Sequence, residues 1–208
     1  MTDHTGADAA AHWEQVYAAK AHDQVSWYEA SPDTSVRLVL GDGPVPAKVL
    51  DVGAGASMLP DALIEAGVGQ VTLIDLSMRA LALTQARLDH LANRAPTIVA
   101  DVLTYPFVDT FDVWHDRAVF HFLTDPADRQ RYADQVLQAV APGGRVVLGT
   151  FAADGPTECS GLPVCRYTPA ELVAEFEDGF EPTHDERTEH HTPFGTMQPF
   201  TWVVLRRR

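Results

Sequence analysis

Lysine is nearly absent. Only Lys20 and Lys48 occur among 208 residues, whose 15 Lys+Arg against 29 Asp+Glu give a formal charge of −14. A protein that grips nucleic acid lays a basic stripe along the phosphates. No such stripe exists here, so nucleic acid is not an expected partner. Cysteine is scarce as well: Cys159 and Cys165 are too few for a disulfide framework and lack C-x-x-C spacing, which points to a reducing, cytoplasmic compartment. No run approaches the roughly 18 apolar residues of a membrane span. The segment Met1 to Ala11 is acidic and Ala-rich rather than basic and then apolar, so neither membrane nor export is expected. Repeats and low-complexity tracts are missing too, and Arg206, Arg207 and Arg208 read as the solvated end of a strand.

What is present is enough apolar residue, 46% of the chain, to fill one core without a metal or disulfide. Five short apolar runs read as strands: Lys48 to Val52, Val71 to Leu76, Thr97 to Asp101, Phe111 to His115 and Arg145 to Phe151. They are apolar through most of their length, as strands covered on both faces are. Helices alternate with them, which implies a parallel sheet. Ser77 is placed to cap a helix carrying Leu81, Leu88 and Leu91, and Asp125-Pro126 opens another with Tyr132, Val136 and Val140 on one face. Thr168, Pro169 and Glu171 form a capping box. Ala141-Pro142-Gly143-Gly144 stops one helix and turns into the fifth strand. Before Lys48 stand two expected helices, Asp8 to Ala19 and Asp33 to Leu40, joined by a segment bearing Trp27-Tyr28. At the other end, Phe180 to Arg187 and Phe200 to Leu205 read as an antiparallel edge pair joined by a polar link, Thr188 to Pro199.

The chemistry concentrates at Val49 to Ser57, an apolar strand ending in Asp51 and running into the turn Gly53-Ala54-Gly55 before a helix. In an open parallel sheet, ligands bind outside the carboxyl ends of the strands where the winding reverses. Glycine lets the backbone approach such a ligand closely. Asp75 follows Gly55 at the end of the second strand and Asp101 ends the third, so three strands deliver Asp51, Asp75 and Asp101 to one edge. An acid at the second of these positions can accept two hydrogen bonds from a ribose diol. Each aspartate could equally cap a turn. A dinucleotide fingerprint would need a third glycine where Met58 stands.

The stretch Val49 to Gly55, the acid-ended Leu73-Ile74-Asp75-Leu76-Ser77, the step Ala100-Asp101-Val102, and Leu137 to Leu148 with its Pro142-Gly143-Gly144 turn resemble the class I S-adenosylmethionine-dependent methyltransferases. The resemblance covers Val49 to Phe151. Trp13-x-x-x-Tyr17, Trp27-Tyr28-Glu29 and Trp114-His115-Asp116-Arg117 are similar to small bacterial members. It implies a three-layer α/β, Rossmann-like fold with a seven-stranded, mostly parallel sheet, built as one domain over residues 1–208 with a helical lid at 1–47 and a cofactor core at 48–151.

It also implies S-adenosylmethionine as cofactor and S-adenosylhomocysteine as product. Gly53, Ala54 and Gly55 would pass under the methionine and ribose, Asp75 would hold the ribose hydroxyls, and Leu76 and Val102 would pack on the adenine. Asp101 would accept from the adenine amino group, Asp51 would meet the cofactor's amino group or brace the turn, and His115 would sit beneath the methionine carbons. Trp27 or Tyr28 could face the sulfonium or simply pack the lid.

If the acceptor carries a proton, a general base is required, and His115, Asp116 and His121 are the candidates. Phe120 and Phe122 flank His121 as core or pocket wall. The expected acceptor is a small molecule, with a protein lysine as the alternative; a nicotinamide-dependent oxidoreductase and a cofactor-binding module without turnover are remoter. His184, His190 and His191 suggest a metal only superficially, because adjacent histidines on an extended segment point apart, so no metal is expected. Cys159 and Cys165 read as part of a loop lining the acceptor pocket.

Overall fold

The computed structural model describes residues 6–208. Strands β1 (Lys48–Val52), β2 (Gln70–Asp75), β3 (Thr97–Val99), β4 (Phe111–Arg117) and β5 (Val140–Phe151) pair in parallel. A small hairpin, β6 (Glu158–Cys159) with β7 (Leu162–Pro163), stands apart from them. The last two strands, β8 (Phe180–His191) and β9 (Met197–Arg207), complete a seven-stranded sheet in the order β3-β2-β1-β4-β5-β9-β8, with β9 antiparallel to both neighbours. From β1 the order runs outward in one direction and from β4 in the other. The winding therefore reverses between β1 and β4.

Helices cover both faces. On one side α2 (Asp33–Leu40), α3 (Leu59–Glu65) and α4 (Met78–Arg87) bury Leu38, Leu63 and Leu81 against Val49, Leu73 and Val147. On the other, α5 (Pro126–Ala139) and α6 (Pro169–Ala174) bury Tyr132, Val136 and Leu172 against Leu50, Trp114 and Leu148. Alternate strand residues thus feed two cores, which is why the strands are apolar almost throughout. Each fully buried side chain of this size contributes roughly 1.5 to 3 kcal/mol. Gly149 has a packing reason to be glycine: a Cβ there would lie 2.7 Å from the Trp202 ring.

The local signals are realised in the caps. Ser77 Oγ accepts from Ala80 N at the start of α4, Asp125 accepts from Ala127 N with Pro126 at the first position of α5, and Thr168 and Glu171 close a capping box on α6. Differences arise where tertiary context intervenes. The third strand stops at Val99 because Asp101 Oδ1 accepts from Leu103 N and turns the chain. Helix α4 ends at Arg87, so Leu88 is its cap and Leu91 belongs to the following 3₁₀ turn. The fifth strand starts at Val140, and Pro142-Gly143-Gly144 lies within its irregular first half rather than before it. The polar link expected over Thr188 to Pro199 is instead mostly strand: β8 and β9 form one long hairpin closed by Thr192 N donating to Thr196 O. As the edge strand, β8 is solvent-exposed along much of its length, and a polar edge strand imitates a loop in sequence. Preceding the sheet, α1 (Gly6–Ala19) packs on α4.

Candidate active site

Asp51 and His115 are register partners on β1 and β4, side by side at the winding reversal. His115 Nδ1 donates to Asp51 Oδ1 at 2.8 Å, and its Nε2 pairs with Ser35 Oγ of α2 at 3.0 Å. A carboxylate only accepts, so Nδ1 carries the proton in this pairing, and a neutral ring then accepts from the serine hydroxyl. All three side chains are almost fully buried. Asp51 Oδ2 is buried as well, yet has no hydrogen-bond partner. A native carboxylate oxygen left this way calls for an explanation. Ser35 had no local motif to announce it.

Gly53 and Gly55 adopt φ of +64° and +52°, a left-handed conformation that favours glycine. Gly55 N donates to Asp75 Oδ2 at 2.9 Å and Ser77 N to Asp75 Oδ1 at 2.8 Å. Burial pushes the Asp75 carboxyl up to about 6, against the opposing pull of those two amide bonds. Asp101 is half-buried beyond β3, while Val102 is buried in the core and Leu76 half-buried beside Asp75. The structure thus brings Asp51, Asp75 and Asp101 to the carboxyl edge of β1, β2 and β3 as the sequence spacing requires.

The roof of this edge is α1 with the segment after it. Glu14 accepts from Ser77 Oγ and Arg79 N, both at 3.0 Å, tying α1 to the start of α4. Tyr17 lies against the glycine turn, where a Cβ on Gly55 would meet its hydroxyl at 2.4 Å; Gly6 similarly faces Asp101 Oδ2. Burial and the charge of Asp75 raise the Tyr17 phenol above its ordinary range. Trp27 packs edge-on against Trp13 and Tyr17, at 5.7 and 6.1 Å between ring centres. Beneath this roof a cleft is lined by Trp27, Glu29, Asp51, Gly53, His115 and Arg117 among others. Its cavity measures about 60 Å³, within about 580 Å³ of atom-free space that includes its mouth.

The three base candidates have different surroundings. His115 has both nitrogens engaged. Asp116 is fully buried, accepting from Val119 N and Phe120 N and from the Tyr132 hydroxyl, so its oxygens tie β4 to the following turn and to α5. Burial pushes its carboxyl up to about 6. His121 is buried between Phe122 and Phe151, with neither ring nitrogen hydrogen-bonded, and burial together with Arg117 drives it down to about 3. Phe120 is core, and Phe122 packs on Trp13.

The histidines near the C-terminus separate as their positions on a strand dictate. His190 is buried and donates to Ser26 O at 2.7 Å, His191 is exposed, and His184 pairs with Glu186. Among the described residues no group of three or more His, Cys, Asp or Glu could hold a metal ion. Cys159 and Cys165 are free thiols, the former buried and pushed up to about 11 by that burial. Among the described residues no helix is long and apolar enough to cross a membrane.

This sheet order, with an acid-ended first strand and a glycine turn at the reversal, defines a Rossmann-like nucleoside-binding fold. A methyltransferase-domain family model matches residues 49–144. Nodulation protein S of Rhizobium tropici is 29% identical over 113 residues, covering 54% of this chain and 46% of that protein. The chain spans about half the length of the curated relatives it matches. Among solved structures, the N-methyltransferase NodS of Bradyrhizobium japonicum WM9 with S-adenosyl-L-homocysteine superposes at a TM-score of 0.71 with 15% identity, over 93% of this chain and 97% of that one. The 1,6-didemethyltoxoflavin-N1-methyltransferase of Burkholderia thailandensis gives 0.76 with 21% identity, over 98% and 90%. At those identities the superpositions speak for the fold. The chain thus matches the methyltransferase-domain family over residues 49–144 and is similar in fold to S-adenosylmethionine-dependent methyltransferases. The residues present fit that family's cofactor: an unpartnered buried carboxylate oxygen at Asp51 suits an ammonium group, and the turn beside it has glycine at both left-handed positions.

Proposed function

We propose that this protein transfers the methyl group of S-adenosylmethionine to a small-molecule acceptor in the cytoplasm. The observation that carries the reading is Asp51 Oδ2, buried without a partner where the winding reverses. An ammonium group satisfies such an oxygen, and a hydrogen bond to a charged group contributes about 1.5 to 3 kcal/mol. Ser35 and His115 fix the carboxylate's orientation, which makes His115 a positioning residue rather than a base. Asp75, whose two oxygens each retain a lone pair beyond their amide bonds, accepts from the ribose hydroxyls. Asp101 accepts from the adenine amino group, with Leu76 and Val102 against the adenine faces and Gly53, Ala54 and Gly55 beneath the methionine and ribose. Trp27 closes the methionine end. When bound, the cofactor supplies an electrophilic methyl group on a sulfonium.

The protein's own part is alignment and exclusion of water, which can supply roughly 7 to 11 kcal/mol. Asp116 and His121, candidates by position, are engaged in packing and suit a base less well: the first spends its oxygens on Tyr132 and two amides, and the second is held neutral far from solvent. Residues 1–47 act as the lid over a core at 48–151, with 1–5 outside the described residues. Within it, α1 and the segment to Trp27 roof the cleft, while α2 is packed into the helical layer on the sheet. A charge of −14 supports the absence of a nucleic-acid partner. Thermal denaturation with S-adenosylhomocysteine, NAD and NADP tests the reading. A ligand at about 100 times its Kd stabilises by roughly 2.7 kcal/mol; a shift with S-adenosylhomocysteine alone is expected, and a shift with a nicotinamide nucleotide alone would refute it. Asp75→Ala should weaken S-adenosylhomocysteine about tenfold to a hundredfold by calorimetry.

A further inference from the structure

Arg117 ends β4, two residues beyond His115, and reaches the same cleft as Asp51 from the side of the lid. Its side chain is 11% exposed. A guanidinium taken out of water at that cost is normally saturated by partners. Here Nη1 donates to Trp27 O at 3.0 Å and the plane packs over the Phe200 ring at 4.8 Å. Nη2 lies 3.2 Å from Glu29 Oε1, within ion-pair range but out of hydrogen-bonding alignment, and donates no hydrogen bond. Glu29 is moreover shared: His190 Nδ1 stands 3.5 Å from the same oxygen. Burial would push the Glu29 carboxyl up, yet His190 and Arg117 hold it below its ordinary range. Two basic side chains thus share one carboxylate, and a buried donor of the more strongly basic one is left without a hydrogen bond. The cleft's lining also includes Val25, Trp27 and Tyr28, with His22 edge-on to Tyr28.

We infer that Arg117 recognises the methyl acceptor, and that the acceptor is a planar molecule bearing a carboxylate. The inference rests on the methyltransferase reading of this cleft and specifies its substrate class. A guanidinium fork matches a carboxylate in geometry and charge, where an ammonium offers only a point charge. The flat aromatic walls favour a ring, and an anionic acceptor is drawn towards the sulfonium as well as towards Arg117.

The test uses the matched probes benzoate and benzamide, which differ only in the charged group, titrated calorimetrically into the full chain with and without saturating S-adenosylhomocysteine. Benzoate is expected to bind about tenfold or more tightly than benzamide. Arg117→Lys keeps a cation beside Glu29 and so protects the fold; it should erase most of that preference while leaving the Kd for S-adenosylhomocysteine within about twofold. Benzoate binding no tighter than benzamide, or not at all, overturns the inference. So does an Arg117→Lys protein that loses affinity for S-adenosylhomocysteine instead, since Arg117 would then hold the cofactor's own carboxylate. Failure of the native protein to bind S-adenosylhomocysteine is a separate result: it strikes the methyltransferase reading, and the arm without that ligand still reports on the anion site.

Discussion

Two buried aspartates stand at the centre of the sheet, Asp51 on β1 and Asp116 on β4, one residue out of step in the register. Their burial is nearly the same and their roles are opposite. Asp116 accepts from Val119 N, Phe120 N and Tyr132, so its charge is consumed in holding the chain after β4 against α5. Asp51 accepts from one histidine and keeps an oxygen with nothing to bind. Depth in the protein does not separate a structural acid from a binding one. The unspent lone pair does.

The largest effect expected from this contrast is on folding. Asp116→Ala strands the Tyr132 hydroxyl and two amides in the core, and should cost about 3 to 5 kcal/mol in urea denaturation. A loss below about 1 kcal/mol would return Asp116 to the list of functional acids. The next effect is on ligand binding and concerns Asp75, whose carboxyl is raised to about 6 by burial. An ionised carboxylate is the better acceptor for ribose hydroxyls, so affinity for S-adenosylhomocysteine should fall as pH drops through about 6, and Asp75→Asn should flatten the profile.

Linkage gives Asp116 the same window with a different readout. Its raised carboxyl binds a proton in the native state that the unfolded chain has already released, so its contribution to stability is full below about pH 4 and is lost as pH rises through about 6. The difference between native and Asp116→Asn stabilities should track that range. The smallest effect belongs to Ser35→Ala. Removing one donor from His115 should cost about 1 kcal/mol of stability and weaken S-adenosylhomocysteine only a fewfold, because Asp51 keeps its own bond to the ring.

Much of the scaffold was legible because its signals are local. Ser77, Asp125-Pro126 and the Thr168–Glu171 box each cap a helix within three residues of themselves, and Asp51, Asp75 and Asp101 are placed by the strands they end. The rest depended on contacts between distant residues. Ser35 meets His115 across 80 positions and Arg117 meets Trp27 across 90. No spacing rule encodes such pairs. His115, Asp116 and His121 were equivalent as base candidates in the sequence, since a pattern of residue types does not disclose which lone pairs the fold consumes. The β8–β9 hairpin was underestimated for a related reason: an edge strand exposed along most of its length lacks the apolar alternation that marks its inner neighbours.

Side-by-side calorimetry of S-adenosylhomocysteine with Asp51→Asn and Asp116→Asn tests the account most directly. Asp51→Asn is expected to fold normally and lose about tenfold or more in affinity, while Asp116→Asn is expected to be less stable and, wherever it is folded, to bind as the native protein does. Native affinity in Asp51→Asn, or a loss confined to Asp116→Asn, would contradict it.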